Sequence, residues 1–331
     1  MAKQRVAWLV PAKGIFNFEL DMSAFDGIDV QIDRTPVSSP GEAMEAVKGA
    51  DVVMAMAGVV DARLIAAMDK AKAICSFGHG FDRIDVEAAT KAGIMVTNTA
   101  YIGNWEVANH AAAMVLALNR KIVQYDRAMR GGVWDRAAGR PIGPLDGEVA
   151  GLVGLGAIGR SLAKRLQPFG LTVKAYDPFA EEWAFREYQV GRVAGLEELL
   201  GQSDYVSVQV PLNKNTHHMM GEAQFRAMKK TAFFVNCCRG GVHDEKALYR
   251  ALKEGWIAGA GLDVFEQEPT DPKNPLFSLP NFIASPHAAG ESTLSLGWAM
   301  KAASHQCASA LRGEWPNRVV NPDARKHLRK A

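Results

Sequence analysis

The stretch VAGLVGLGAIGRSLAKRL, residues 149–166, constrains the fold more than any other part of the chain. An apolar run suited to a buried strand passes directly into glycines at 154, 156 and 159, and from them into a helix. Gly154 permits the tight turn, Gly156 lets backbone amides approach a pyrophosphate, and Gly159 allows the helix to pack close to the strand. Ala157 and Ile158 open the helix, whose N-terminal amides and partial positive charge suit phosphate. The next strand-like run, LTVKAYD, ends in Asp177, 18 residues beyond Gly159. An acidic side chain there is placed to accept hydrogen bonds from ribose hydroxyls and would repel a 2′-phosphate. Pro178 and Phe179 follow, with no Arg to neutralise such a phosphate, so NAD is expected rather than NADP.

Short β-branched runs alternate with helical stretches on both sides of this motif. RVAWLV, IDVQID, DVVMAMAG, KAICSFG and GIMVTNT, interrupted by segments such as PGEAMEAVKG and DVEAATKAG, make the first 100 or so residues one α/β unit. Residues 103–132 carry apolar side chains at three- and four-residue spacing up to a Gly pair, which predicts one long helix bridging two domains. From Val149 a second alternation offers six candidate strands: VAGLVG, LTVKAYD, SDYVSVQV, TAFFVNCC, IAGAGLDV and NFIASP. Six parallel strands match a complete doubly wound dinucleotide fold. A last helix, roughly 291–312, cannot form a domain alone and must pack on something already built.

With 331 residues, 48% apolar and 22% charged, the chain reads as a globular protein with room for two cores. The net charge of +2, with both signs interspersed, gives no footprint for nucleic acid or membrane. The basic tail of Arg325, Lys326, Arg329 and Lys330 reads as solvated. The longest apolar run, VVMAMAGVV at 52–60, is far below the roughly 20 residues of a membrane span. The N-terminal MAKQRVAWLVPAKG lacks a convincing export signal, so a cytoplasmic protein is expected. Cys75, Cys237, Cys238 and Cys307 show no zinc-site spacing; no metal is expected, and the thiols read as reduced and mostly buried.

Three later stretches place charged or titratable residues at strand ends: NCCRGG with Arg239, GLDVFEQEP with Glu268, and SPHAAG with His287. Ligands of open α/β sheets bind outside the carboxyl ends of strands, so the three can converge beside a nicotinamide. Hydride transfer between NAD and a carbon bearing oxygen requires a proton to reach or leave that oxygen. Histidine, with an ordinary pKa of about 6.5, suits that role, and a carboxylate such as Glu268 on its other ring nitrogen would stabilise the imidazolium. Arg239 can hold a substrate carboxylate in its planar fork or polarise a carbonyl.

With these residues assembled, the chain resembles the D-isomer-specific 2-hydroxyacid dehydrogenases, including D-lactate, D-3-phosphoglycerate and glyoxylate/hydroxypyruvate enzymes. The resemblance covers nearly the whole chain, through GFDRIDVEAATKAGIMVTNT, GLVGLGAIGRSLAKRLQPFG, NCCRGGVHDEKALYRALKEGWIAGAGLDVFEQEP, NPLFSLPNFIASPHAAG and NRVVN. It implies an α/β fold of two doubly wound parallel-sheet domains, a Rossmann NAD-binding domain inserted into a flavodoxin-like substrate domain. The expected boundaries are 1–100 and 286–331 for the substrate domain and 101–285 for the cofactor domain. Arg239 would bind substrate, Glu268 support the histidine and His287 act as general acid/base. Asp263 would lie beside the nicotinamide amide, Pro211 and Thr216 would line the cofactor, and Cys237 and Gly290 would sit close to it. Backbone amides near Gly78, His79 and Gly80 would receive the substrate carboxylate. Homodimers through the cofactor domain are also implied.

Two residues depart from the family pattern. Asn109 stands where Glu is usual, and His243 replaces a usual aliphatic residue, which reads as a packing change. His110, His217, His218, His305 and His327 lack a carboxylate-and-cleft context and read as structural. Cys237 and Cys238 read as small side chains filling a tight site. The reaction expected is NAD-dependent interconversion of a D-2-hydroxy acid and its 2-keto acid. The alternatives are a phosphite dehydrogenase-like enzyme and an NAD(H)-sensing protein of the corepressor type. Glu268 disfavours formate, because formate enzymes typically carry a neutral amide there.

Overall fold

The computed structural model describes residues 3–12, 19–56, 58–100 and 102–328. Arg329 and Lys330 of the basic tail lie outside the described residues, as do Met1, Ala2, Lys13, Gly14 and Ala57 of the two stretches weighed for export and membrane. The chain divides into two units, Met1–Gly103 with Ser292–Ala331, and Asn104–Glu291.

The first unit holds strands β1 (Gln4–Pro11), β2 (Val30–Val37), β3 (Val52–Ala55), β4 (Ala73–Ser76) and β5 (Met95–Thr97), with helices α1 (Pro40–Val47), α2 (Ala62–Ala66) and α3 (Val86–Lys91). The strands form a parallel sheet in the order β2-β1-β3-β4-β5, that of flavodoxin-like folds. The inner strands are apolar and buried because helices cover both faces of a parallel sheet. Helix α1 starts where the Ser39 hydroxyl accepts the Glu42 amide, with Pro40 preset for the first turn.

In the second unit, helices α4 (Asn104–Arg120) and α5 (Ile122–Arg130) precede the strand of the glycine motif, β6 (Val149–Val153), and its helix α6 (Ala157–Leu166). The chain continues through β7 (Thr172–Tyr176), α7 (Glu182–Glu187), β8 (Gly191–Arg192), α8 (Leu196–Gln202), β9 (Tyr205–Val208), α9 (Glu222–Ala227), β10 (Phe233–Asn236), α10 (Glu245–Lys253), β11 (Gly259–Leu262) and β12 (Phe282–Ala284). All pair in parallel in the order β12-β11-β10-β9-β6-β7-β8. The order reverses beside β6, which creates the crevice where doubly wound sheets take ligands. Helix α11 (Thr293–Leu311) belongs to the first unit, where Met300, Ala303, Cys307 and Leu311 share a core with Val6, Trp8, Met54 and Cys75.

Two sequence expectations are corrected. The second sheet has seven strands rather than six; the addition, β8, is a two-residue exposed edge strand with no periodicity to reveal it. The long helix at 103–132 is two helices, broken at Lys121, which adopts φ 56 with its ammonium 4.5 Å from the Phe233 ring centre. Apolar spacing runs on across the break, but only α4 buries a face, through Ala108, Ala111, Val115 and Leu118. No helix among the described residues is long and apolar enough to cross a membrane.

Candidate active site

The glycine turn follows from backbone geometry. Gly154 adopts φ 100, and a Cβ there would lie 2.6 Å from the Gln209 carbonyl oxygen, so the position admits little but glycine. A Cβ on Gly159 would collide with the Gly154 carbonyl, which is how closely α6 approaches β6. Over Gly156 the space is open: a Cβ would meet nothing within 4 Å, and no side chain caps the N-terminus of α6. An open cradle beneath uncapped amides fits the pyrophosphate of a dinucleotide.

Asp177 follows β7 and closes this turn. One carboxylate oxygen accepts the Leu155 amide at 2.8 Å; the other accepts the amides of Phe179 and Ala180 at 2.9 and 3.0 Å. The carboxylate expected to face a ribose therefore also shapes the loops on either side of it. In the loop after β9, Thr216 donates to the Pro211 carbonyl at 2.6 Å and accepts the Asn213 amide at 2.9 Å, so Pro211 and Thr216 form one closed turn.

At the opposite half of the sheet, His287 Nδ1 lies 2.8 Å from Glu268 Oε2, while Glu268 Oε1 accepts the Phe265 amide at 3.1 Å. The imidazole is about half exposed and Glu268 largely covered. His287 has φ 57, a left-handed conformation that is strained for a residue with a side chain. Arg239, half-buried, follows β10 and donates to the Cys238 carbonyl at 2.7 Å. A Cβ on Gly240 would run into the backbone of Phe265 and Glu266, so the Arg239 turn packs against the loop that carries Glu268.

Asn236 organises that turn. Its amide nitrogen donates to the Arg239 carbonyl at 2.9 Å and contacts His243 Nδ1 at 3.0 Å, and its oxygen accepts the Cys238 amide at 2.8 Å. His243 is fully enclosed, and burial pulls its pKa down to about 3, so it is neutral and no acid/base at ordinary pH. Burial likewise pushes the Cys237 and Cys238 thiols up, and Cys237 lies against Met114, its Sγ 3.8 Å from the thioether. Neither is an activated thiolate.

Asp263 follows β11, fully buried, and its carboxylate is engaged by the His287 loop: Oδ1 accepts the Ser285 hydroxyl at 2.6 Å and the Ala288 amide at 2.9 Å, Oδ2 the Ala289 amide at 2.9 Å. Gly290 closes the same loop, with the place for a Cβ 3.7 Å from Val107. Ser285 carries no signal in the sequence, where His110 reads as lacking a carboxylate. Instead, His110 Nε2 is 2.8 Å from Ser285 Oγ and 3.8 Å from Asp263. His218 and His305 also meet carboxylates, Glu266 at 3.1 Å and Asp21 at 3.3 Å. No local pattern could reveal these, because each partner is distant in sequence. Asn109, where Glu is usual, keeps a hydrogen bond from Arg165 but not a charge pair.

Gly78, His79 and Gly80 belong to the first unit. Asn98 donates to the His79 carbonyl at 2.7 Å, and Thr99 holds the loop through the carbonyls of Phe77 at 2.7 Å and Gly78 at 3.1 Å. The His79 side chain is exposed.

A half-buried arginine, an imidazole paired with a carboxylate and a glycine cradle on one parallel sheet fit the chemistry of an NAD-dependent oxidoreductase. Residues 112–289 match the family model described as D-isomer specific 2-hydroxyacid dehydrogenase, NAD binding domain. Over 322 residues the chain is 40% identical to a glyoxylate reductase of Korarchaeum cryptofilum, covering 96% of this chain and 95% of that protein. It is also similar to the crystal structure of a glyoxylate reductase from Paecilomyes thermophila, with TM-score 0.84, 29% identity, and 97% and 99% of the two chains covered. D-lactate dehydrogenase with NAD+ from Lactobacillus jensenii superposes with TM-score 0.76 at 26% identity, covering 96% and 99%. The chain belongs to the D-isomer specific 2-hydroxyacid dehydrogenase family. Its cofactor is NAD, and its reaction is the interconversion of 2-hydroxy and 2-keto acids.

Proposed function

We propose that the chain reduces a small 2-keto acid of the glyoxylate or hydroxypyruvate class to its D-2-hydroxy acid, with His287 as general acid. The observation that carries this reading is the 2.8 Å pairing of His287 Nδ1 with Glu268. Glu268 fixes the ring through Nδ1, leaving Nε2 as the nitrogen that exchanges a proton with the substrate oxygen. Arg239 holds the carboxylate or polarises the carbonyl. Bound NADH supplies the hydride. Gly154, Gly156, Ala157, Ile158 and Gly159 cradle its pyrophosphate, Asp177 meets its ribose, and Pro211, Thr216, Cys237, Asp263 and Gly290 surround the remainder.

In this reading Met1–Gly103 with Ser292–Ala331 is the substrate domain, and the amides of Gly78, His79 and Gly80 receive the substrate carboxylate. The exposed His79 side chain favours small, polar or anionic acids; unchanged relative rates across such acids in His79→Ala would count against that role. We assign the protein to the cytoplasm, in keeping with four cysteines that are all free and buried. A homodimer through the second unit is supported by the exposed Ile122, Met129, Val133 and Trp134 on and after α5.

The test is NADH consumption with glyoxylate, hydroxypyruvate, pyruvate, phenylpyruvate and 2-oxoglutarate, run beside NAD reduction by phosphite and formate. Fastest turnover on the first two acids is expected; faster reduction of NAD by phosphite would replace the reading.

A further inference from the structure

Asp263 makes four bonds to the segment that carries His287. Besides the three that its carboxylate accepts from Ser285, Ala288 and Ala289, its main-chain carbonyl accepts the His287 amide at 2.7 Å. A left-handed conformation at a histidine persists only where the surroundings over-determine it, and these bonds are what hold the loop at φ 57.

The chain of contacts continues outward from the carboxylate. Ser285 Oγ lies 2.6 Å from Asp263 Oδ1 and 2.8 Å from His110 Nε2, but a hydroxyl has only one proton to give. Ser285 donates that proton to Asp263 Oδ1, so the contact with His110 must be donated by the imidazole. That fixes Nε2 of His110 as a protonated nitrogen. His110 is carried by α4, whose neighbouring Ala108, Ala111 and Val115 are fully buried, so the donor stands on a rigid element.

We infer that His110 and Ser285 are positioning residues for the reaction: together they orient the Asp263 carboxylate, which holds the left-handed His287 loop so that the imidazole meets Glu268. This rests on the reading of His287 as the general acid/base. Neither residue touches the reacting atoms; both act through Asp263.

The experiment compares Ser285→Ala, Ser285→Thr, His110→Phe, His110→Gln and His287→Asn in the full chain. The readouts are kcat, KM for glyoxylate, the solvent deuterium isotope effect on kcat, NADH affinity by fluorescence and the unfolding midpoint. Ser285→Ala and His110→Phe are expected to lose roughly tenfold to a hundredfold in kcat, the usual consequence of a misplaced catalytic group. Their isotope effect should rise because proton transfer slows, while NADH affinity, which Asp263 also touches in the proposed reading, falls by less than kcat does. Ser285→Thr keeps the hydroxyl and His110→Gln keeps an N–H donor, so both should recover most of the rate. If Ser285→Ala does not fold, His110→Phe against His110→Gln makes the same comparison.

Parental kcat and isotope effect in Ser285→Ala and His110→Phe, beside an inactive His287→Asn, would overturn this inference alone. So would Thr and Gln variants that fall as far as their Ala and Phe counterparts, since packing rather than the hydrogen bonds would then be responsible. Parental kcat in His287→Asn would remove the reading of the site, and this inference with it.

Discussion

Glu268 accepts with both oxygens at once: Oε2 meets His287 Nδ1 at 2.8 Å and Oε1 takes the Phe265 amide at 3.1 Å. The carboxylate that supports the imidazole is thus itself fixed to the backbone of its own loop. Glu268→Gln keeps the shape but not the charge, and should lose less kcat than His287→Asn. The latter should bind NADH nearly as the parent does and lose roughly two to four orders of magnitude in kcat. Stopped-flow reduction of the preferred keto acid checks both.

In the proposed reading Asp177 selects the cofactor while its carboxylate also holds three backbone amides. Asp177→Ser removes the charge that repels a 2′-phosphate and should narrow the preference for NADH over NADPH by roughly tenfold, about 1.4 kcal/mol. It also takes an acceptor from the Leu155, Phe179 and Ala180 amides, so stability should fall by about 1–2 kcal/mol. Initial rates with both cofactors and urea unfolding measure the two effects separately.

Gly154→Ala places a methyl group 2.6 Å from the Gln209 carbonyl oxygen at φ 100. The backbone must shift, at an expected cost of about 2 kcal/mol or more, and the cradle shifts with it. Calorimetric titration with NADH should show weakened binding. Undiminished affinity and stability would mean that the turn tolerates a side chain.

His243 makes the protein sensitive to acid. Its folded pKa is about 3 against 6.5 for the free side chain, so between those values the unfolded chain takes up a proton that the native state refuses. Above pH 6.5 the residue is neutral in both states and contributes nothing to the pH dependence; as pH falls through the window, stability drops by up to about 1.4 kcal/mol per pH unit. His243→Leu, the aliphatic choice usual in the family, should flatten that slope. Denaturant unfolding at pH 7 and pH 4.5, in parent and variant, checks it.

Much of this arrangement is legible in the sequence because it is local. A buried strand, a glycine turn and a helix fall within 149–166, and Arg239, Glu268 and His287 each follow soon after a short apolar run that ends a strand. Other features are not local. The 2.8 Å contact between His110 and Ser285 joins a helix to a loop far along the chain, and nothing beside either residue announces it. The break at Lys121 hides because apolar spacing continues into α5, while the burial that distinguishes the two helices is a property of the packed molecule. Asp177 is recognisable as an acid at a strand end, but the three amides it holds come from loops on either side of it and are fixed only in the folded chain.

The divided first unit has a consequence during synthesis. All strands of the Asn104–Glu291 unit have been made before α11 leaves the ribosome, so that insert can complete its own core while the chain is still growing. The earlier-made β1, β3 and β4 have no such option: the apolar surface around Val6, Met54 and Cys75 waits for Met300, Cys307 and Leu311. The nascent protein therefore carries an unfinished hydrophobic face through most of translation, the interval in which a chaperone has something to hold.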